Sequence, residues 1–162
     1  MKFLPLSPEN IDTLQYLARE IWDEHYSKIL PQEQIDYMLE LFYSRVRIER
    51  EIQNGIIWEM MFNEDNEAIG YHSCKLEFEK LYISKLYLRA DIRGKGLGKQ
   101  TIEHIKKIAE NNGKKCMYLN VNKYNTDSIA FYQHIGFIKV DQGVFPIGNG
   151  FFMDDYILEY RL

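Results

Sequence analysis

The stretch that most restricts this chain is Leu86-Tyr87-Leu88-Arg89-Ala90-Asp91-Ile92-Arg93-Gly94-Lys95-Gly96-Leu97-Gly98. It opens with an apolar and aromatic run of strand character. It closes where Leu97, Thr101, Ile105, Ile108 and Ala109 begin a helical spacing, with Lys99, Glu103, Lys106, Lys107 and Glu110 turned outward. Gly113 is placed to end that helix. Gly94, Gly96 and Gly98 alternate between strand and helix, so the backbone can turn tightly and no side chain screens its N–H groups. A loop of this kind at a helix N-terminus is suited to an anion, because free amides and the positive end of the helix dipole meet there.

The spacing narrows the choice of anion. A nucleoside-triphosphate loop needs Gly-Lys-Ser/Thr, but Gly98-Lys99 precedes Gln100, and Arg93 holds the place of the first glycine. A dinucleotide fingerprint needs a third glycine where Lys99 stands. The pattern that does fit is R-x-x-G-x-G, with Arg93, Gly96 and Gly98 in place. It resembles the pyrophosphate loop of the GNAT superfamily of N-acetyltransferases, which holds the diphosphate of acetyl-coenzyme A.

A second constellation runs from Asn125 to Phe137. Read locally, Asn125 or Thr126 caps a short helix, Ile129 and Ile135 face inward, and Gly136 terminates it. Asn125, Ser128, Tyr132, Gly136 and Phe137 also match N-x-x-A/S-x-x-x-Y-x-x-x-G-F, a second signature that resembles the same superfamily. The two motifs and the strands around them cover about residues 56–140.

Periodicity places the remaining elements. A strand at Lys2–Leu6 is followed by a helix from Pro8 to Asp23, with Ser7 as its cap and Ile11, Leu14, Leu17, Ala18 and Ile21 inward. A helix opening at Pro31 carries Ile35, Met38, Leu39 and Phe42, and another covers Arg45–Gln53. Strands are expected at 56–62, 68–77, 79–88 and 116–121, and a last antiparallel pair at 137–145 and 151–161 around a turn at 146–150. The order β-α-α-α-β-β-β-α-β-α-β-β reads as an α/β chain with a mixed sheet and helices on both faces. The resemblance implies the acyl-CoA N-acyltransferase fold with a mostly antiparallel sheet. At 162 residues the chain is expected to form a single domain.

The resemblance implies acetyl transfer from acetyl-CoA to a primary amine. The amides of Gly94, Gly96 and Gly98 with the Arg93 guanidinium suit the diphosphate. Lys95, Leu97 and Lys99 belong to the same cofactor loop. The backbone of Leu86 and Leu88, with Tyr87 between them, would pair with the pantetheine arm, provided the strand splays from 116–121. Asn125 would reach the pantetheine. Tyr132 is implied as the acid that protonates the departing thiolate, which a phenol of ordinary pKa ~10 can do.

No general base is assigned. The glutamate many relatives carry before the loop is replaced here by Tyr82, Ile83 and Ser84. Glu77 and Glu79 lie a little upstream, and Glu24 and His25 lie in the loop after the first helix; any of them could act through water. Cys74 and Cys116 have no recognisable activating partner, so direct attack in a ternary complex is expected over an acetyl-cysteine route. Two such separated cysteines also argue against a disulfide framework or a zinc site.

In this fold the acceptor pocket is usually walled by the segment after the first helix and by the final hairpin. Here those are Asp23–Tyr26 and Phe145–Asp155, which combine aromatic rings with Asp154 and Asp155. A small amine or polyamine is the expected acceptor. A net charge of −4 speaks against nucleic acid as partner. No apolar run reaches membrane-spanning length, so a cytoplasmic protein is expected, with homodimerisation open. Acetylation of a protein N-terminus or lysine, a different acyl donor or an antibiotic acceptor, and a non-catalytic acetyl-CoA sensor stay open as alternatives.

Overall fold

Seven strands take the order β1-β2-β3-β4-β5-β7-β6 in a computed structural model that describes all residues, Met1–Leu162. The strands are β1 (Lys2–Pro5), β2 (Ile57–Phe62), β3 (Ala68–Leu76), β4 (Lys80–Leu88), β5 (Cys116–Asn122), β6 (Ile138–Gly148) and β7 (Phe151–Arg161). The helices are α1 (Ile11–Tyr26), α2 (Gln32–Tyr43), α3 (Arg45–Gln53), α4 (Leu97–Asn111) and α5 (Thr126–His134). The expected element order holds throughout. The chain divides into two compact units, residues 1–75 with 85–100 and residues 76–84 with 101–162.

In the first unit β1 pairs antiparallel with β2 from Lys2–Phe62 to Pro5–Glu59, and β2 pairs antiparallel with β3 from Ile57–Cys74 to Phe62–Ala68. Ile11, Leu14, Leu17, Ala18 and Ile21 are all buried, as their helical spacing requires. The boundaries of α1 differ from the expected ones. Ser7 makes no side-chain cap; Pro8–Asn10 forms a 3-10 turn and the α-helix starts at Ile11. It then runs past Asp23, because Trp22 is buried and Tyr26, one turn on, packs on it with ring centroids 4.7 Å apart. In α2 the core position falls to Tyr43 and not to Phe42, which is half-buried. The Tyr43 hydroxyl accepts a 2.9 Å hydrogen bond from Tyr71, which satisfies it inside the core.

Gly70 sets the spacing between β3 and the end of β4. A Cβ there would lie 2.4 Å from the Tyr87 carbonyl oxygen and 2.7 Å from a Leu88 methyl. Only glycine permits that approach.

In the second unit the first half of β4 pairs in parallel with β5, from Lys80–Cys116 to Ile83–Leu119. β5 pairs antiparallel with β7, from Cys116–Arg161 to Asn122–Asp155, and β7 returns from β6. The hairpin is longer than expected: Pro146, Ile147 and Gly148 belong to β6, and the turn narrows to Asn149-Gly150, both at positive φ. Proline is tolerated there because β6 is last in the strand order and need not donate on its outer side. On α4 the buried stripe is Thr101, Ile102, Ile105 and Ala109; Leu97 and Ile108 are half-buried. In α5 only Tyr132 is buried; Ile129, and Ile135 just past its end, are half-buried. No helix is long and apolar enough to cross a membrane.

Candidate active site

The glycine loop lies wholly in the first unit. β4 ends at Leu88, Ala90–Ile92 makes a 3-10 turn closed by Arg93 N–H on the Ala90 carbonyl, and α4 starts at Leu97. Gly94 and Gly96 both have φ +76°, a left-handed conformation that glycine adopts without steric cost. Open space surrounds the position a Cβ would occupy at either residue. Gly98 does a different job from the one its alternation implied: it sits in the first turn of α4. The first helical bond runs from Gln100 N–H to the Gly96 carbonyl, so the amides of Gly98 and Lys99 precede any intrahelical acceptor. Lys95 and Lys99 are exposed beside them.

Arg93 is held at the mouth of this turn. Its Nε donates to the Leu88 carbonyl at 3.1 Å, and its Nη2 lies 3.1 Å from Glu24. The Leu88 carbonyl is therefore engaged, which departs from the expectation of a free backbone there. Leu86, Tyr87 and Leu88 are all half-buried.

Beneath the strand lies a constellation that no local motif announced. Tyr87 packs against Tyr71 and Trp22 at ring separations of 5.4 and 5.6 Å, and its hydroxyl is 3.1 Å from that of Tyr26. Two residues earlier, Lys85 is buried with its Nζ 4.6 Å from the Trp58 ring and 5.6 Å from that of Tyr43. Glu51 lies 3.7 Å from Lys85 and accepts bonds from Arg47 at 2.6 Å and Trp58 at 3.0 Å. Burial pushes the Lys85 ammonium down to about 8, with Glu51 opposing the shift. Burial also raises the phenols of Tyr43 and Tyr71.

The second unit holds the other motif. Asn125 is buried, and its Oδ1 accepts from Ser128 N–H at 3.4 Å, so the side chain caps α5 as the local reading had it. Tyr132 is 8% exposed and packs edge-on to Phe131 and Phe137 at 5.1 and 5.4 Å. On β7, Asp154 pairs with Lys123, while its neighbour Asp155 is 2% exposed. Burial foremost, with Asp154 adding, pushes the Asp155 carboxyl up to about 6; a hydrogen bond from Asn120 opposes this.

The candidate bases separate on these contacts. Glu24 is paired with Arg93. Glu79 is paired with Lys115, which holds its carboxyl below the usual range. Glu77 accepts from the Tyr118 hydroxyl at 2.9 Å. His25 stands edge-on to Tyr26. Burial pushes the Cys74 thiol up to about 12 and raises that of Cys116, so neither offers a thiolate at neutral pH.

A model of the acetyltransferase (GNAT) family matches residues 14–137. A spermidine N(1)-acetyltransferase of Thermoplasma acidophilum is 29% identical over 153 residues, covering 92% of either chain. The peptidyl-lysine N-acetyltransferase YjaB of Salmonella typhimurium is 30% identical over 81 residues, 50% of this chain and 49% of that one. A crystal structure of the PaiA N-acetyltransferase of Thermoplasma acidophilum in complex with coenzyme A superposes with a TM-score of 0.85 at 28% identity. It covers 99% of this chain and 98% of that one.

Proposed function

The chain belongs to the acetyltransferase (GNAT) family, with acetyl-CoA as cosubstrate, and on that premise we propose that it acetylates a primary amine of a small polycation, a polyamine foremost. The observation that carries the reading is the pair of left-handed glycines, Gly94 and Gly96, directly before α4. They leave an unscreened row of amides at a helix N-terminus, a geometry that suits a diphosphate. The polyamine part is supported by the Thermoplasma spermidine acetyltransferase and by a net charge of −4.

In this reading the chain is a single catalytic domain. Gly94, Lys95, Gly96, Leu97, Gly98 and Lys99 hold the diphosphate with Arg93, while Leu86, Tyr87 and Leu88 lie along the pantetheine arm. Asn125 fixes the start of α5 and thereby Tyr132, whose phenol gives its proton to the departing sulfur. The amine attacks the thioester directly. The raised thiols of Cys74 and Cys116 support that route over an acetyl-cysteine.

The test is release of free coenzyme A thiol by the purified protein over spermidine, spermine, putrescine, a lysine peptide and a peptide with a free N-terminus. The expected result is saturable release with a polyamine, matched one to one by N-acetylated product in mass spectrometry. Release confined to the peptides would replace the polyamine by a protein acceptor.

A further inference from the structure

Tyr132 sits on a helix that does not seat itself. α5 has nine residues and one buried side chain, that of Tyr132, so no apolar stripe fixes the helix against the sheet. What fixes the phenol comes from the chain that follows. The Phe137 N–H donates to the Tyr132 carbonyl at 2.9 Å, and the Phe137 ring meets the Tyr132 ring edge-on with centroids 5.4 Å apart. Phe137 is itself fully enclosed in the core.

Phe137 in turn leans on Tyr160 of β7, again with 5.4 Å between centroids. The fit is close. Gly136 has φ +105°, and a Cβ there would lie 3.0 Å from Cε2 of Tyr160, so the ring passes the end of α5 because a glycine stands beside it. Tyr160 is held at both ends. Its backbone stands opposite the fully buried Met117 on β5, and its hydroxyl accepts from the Lys106 ammonium of α4 at 3.4 Å. The same ammonium lies 5.3 Å from the centre of the ring. Lys106, Tyr160, Phe137 and Tyr132 thus form one unbroken line of contacts.

We propose that Tyr160 is a positioning residue for the reaction: acting through Phe137, it holds the Tyr132 ring in the orientation from which the phenol meets the departing sulfur. The inference rests on the acid role given to Tyr132 above. A neutral amine loses one proton on becoming an amide, and the sulfur gains one as the C–S bond breaks. The phenol therefore gives a proton and regains one in each turnover. Such a transfer depends on placement, and a displacement of about 1 Å can cost about 10²-fold in rate.

The experiment is a double-mutant cycle on kcat for spermine at saturating acetyl-CoA, read beside KM for both substrates. Tyr160→Leu should lower kcat by about tenfold with both KM values within about twofold, and Tyr160→Phe, which keeps the ring, should restore kcat. In a Tyr132→Phe background Tyr160→Leu should cost less than about twofold, because the group it positions is gone. A purely structural residue costs the same in both backgrounds, and that result overturns the proposal, as does an unchanged kcat in Tyr160→Leu. Where Tyr160→Leu fails to fold, Tyr160→Met makes the same comparison. A second arm needs no turnover. In protein carrying carbon-13 on its tyrosine rings, the Tyr132 resonance, assigned by its loss in Tyr132→Phe, should move in Tyr160→Leu and return in Tyr160→Phe. A resonance that stays in place overturns the inference by itself, even where no amine releases thiol and the acceptor reading has fallen. Full kcat in Tyr132→Phe alone removes the acid role and this inference with it, which sets that failure apart from the others.

Discussion

The Arg93 guanidinium bonds Glu24 at 3.1 Å while its Nε holds the Leu88 carbonyl, so a carboxylate occupies the arginine that the cofactor loop would offer to a diphosphate. In the proposed site, binding acetyl-CoA would be an exchange of anions at Arg93. Both side chains are about as exposed as an ordinary surface pair, 38% and 46%, and such pairs are weak. Glu24→Gln should tighten acetyl-CoA by about two- to fivefold in isothermal titration calorimetry. Weaker binding in that variant would instead make Glu24 part of the site.

Gly96→Asp places a side chain at φ +76° and a negative charge where the diphosphate is expected. No neighbour lies within 4 Å of the new Cβ, so the protein should still fold. The apparent KM for acetyl-CoA should rise by at least about tenfold, in keeping with the loss of a charge-assisted hydrogen bond. An unchanged KM in a folded variant would reduce the loop to a turn.

Tyr132→Phe keeps the ring contacts with Phe131 and Phe137 and deletes only the hydroxyl. Acetyl-CoA affinity should stay within a few-fold and kcat should fall by roughly 10²-fold, because the proton transfer belongs to the transition state. Stopped-flow measurement at saturating amine separates this step from product release. Full activity there would leave Tyr132 as core alone.

Lys85 makes stability depend on pH in a definite direction. Its ammonium titrates near 8 in the folded protein and at ~10.4 in an unfolded chain. Between those values the unfolded chain binds the extra proton, so stability rises as the pH climbs through the window; below about 8 the full cost of burying the charge is present. Urea denaturation from pH 7 to 10 should show the protein gaining stability relative to Lys85→Met. Parallel curves for the two would mean that Lys85 reaches water.

What was legible in the chain depended on how local each feature is. Gly94 and Gly96 could be read because the strand, the turn and the helix they join are contiguous. The short helix that carries Tyr132 could be read because its cap Asn125 and its closing Gly136 fall within one short run. The Lys85 box could not. Its walls come from α2, α3 and β2, and nothing near Lys85 in sequence distinguishes it from the exposed Lys80 on the same strand. Asp155 was visible only as one of two adjacent acids in the hairpin. The register of β7 on β5 is what buries one and leaves the other to Lys123.

A transferase that discharges coenzyme A at every turnover lives beside a free thiol and, under oxidation, beside its disulfide. Attack on that disulfide needs a protein thiolate. Cys74 is fully buried with its thiol pushed up to about 12, and Cys116 is buried as well and shifted the same way. Cores that keep both sulfurs protonated leave this protein unable to trap its own by-product as a mixed disulfide.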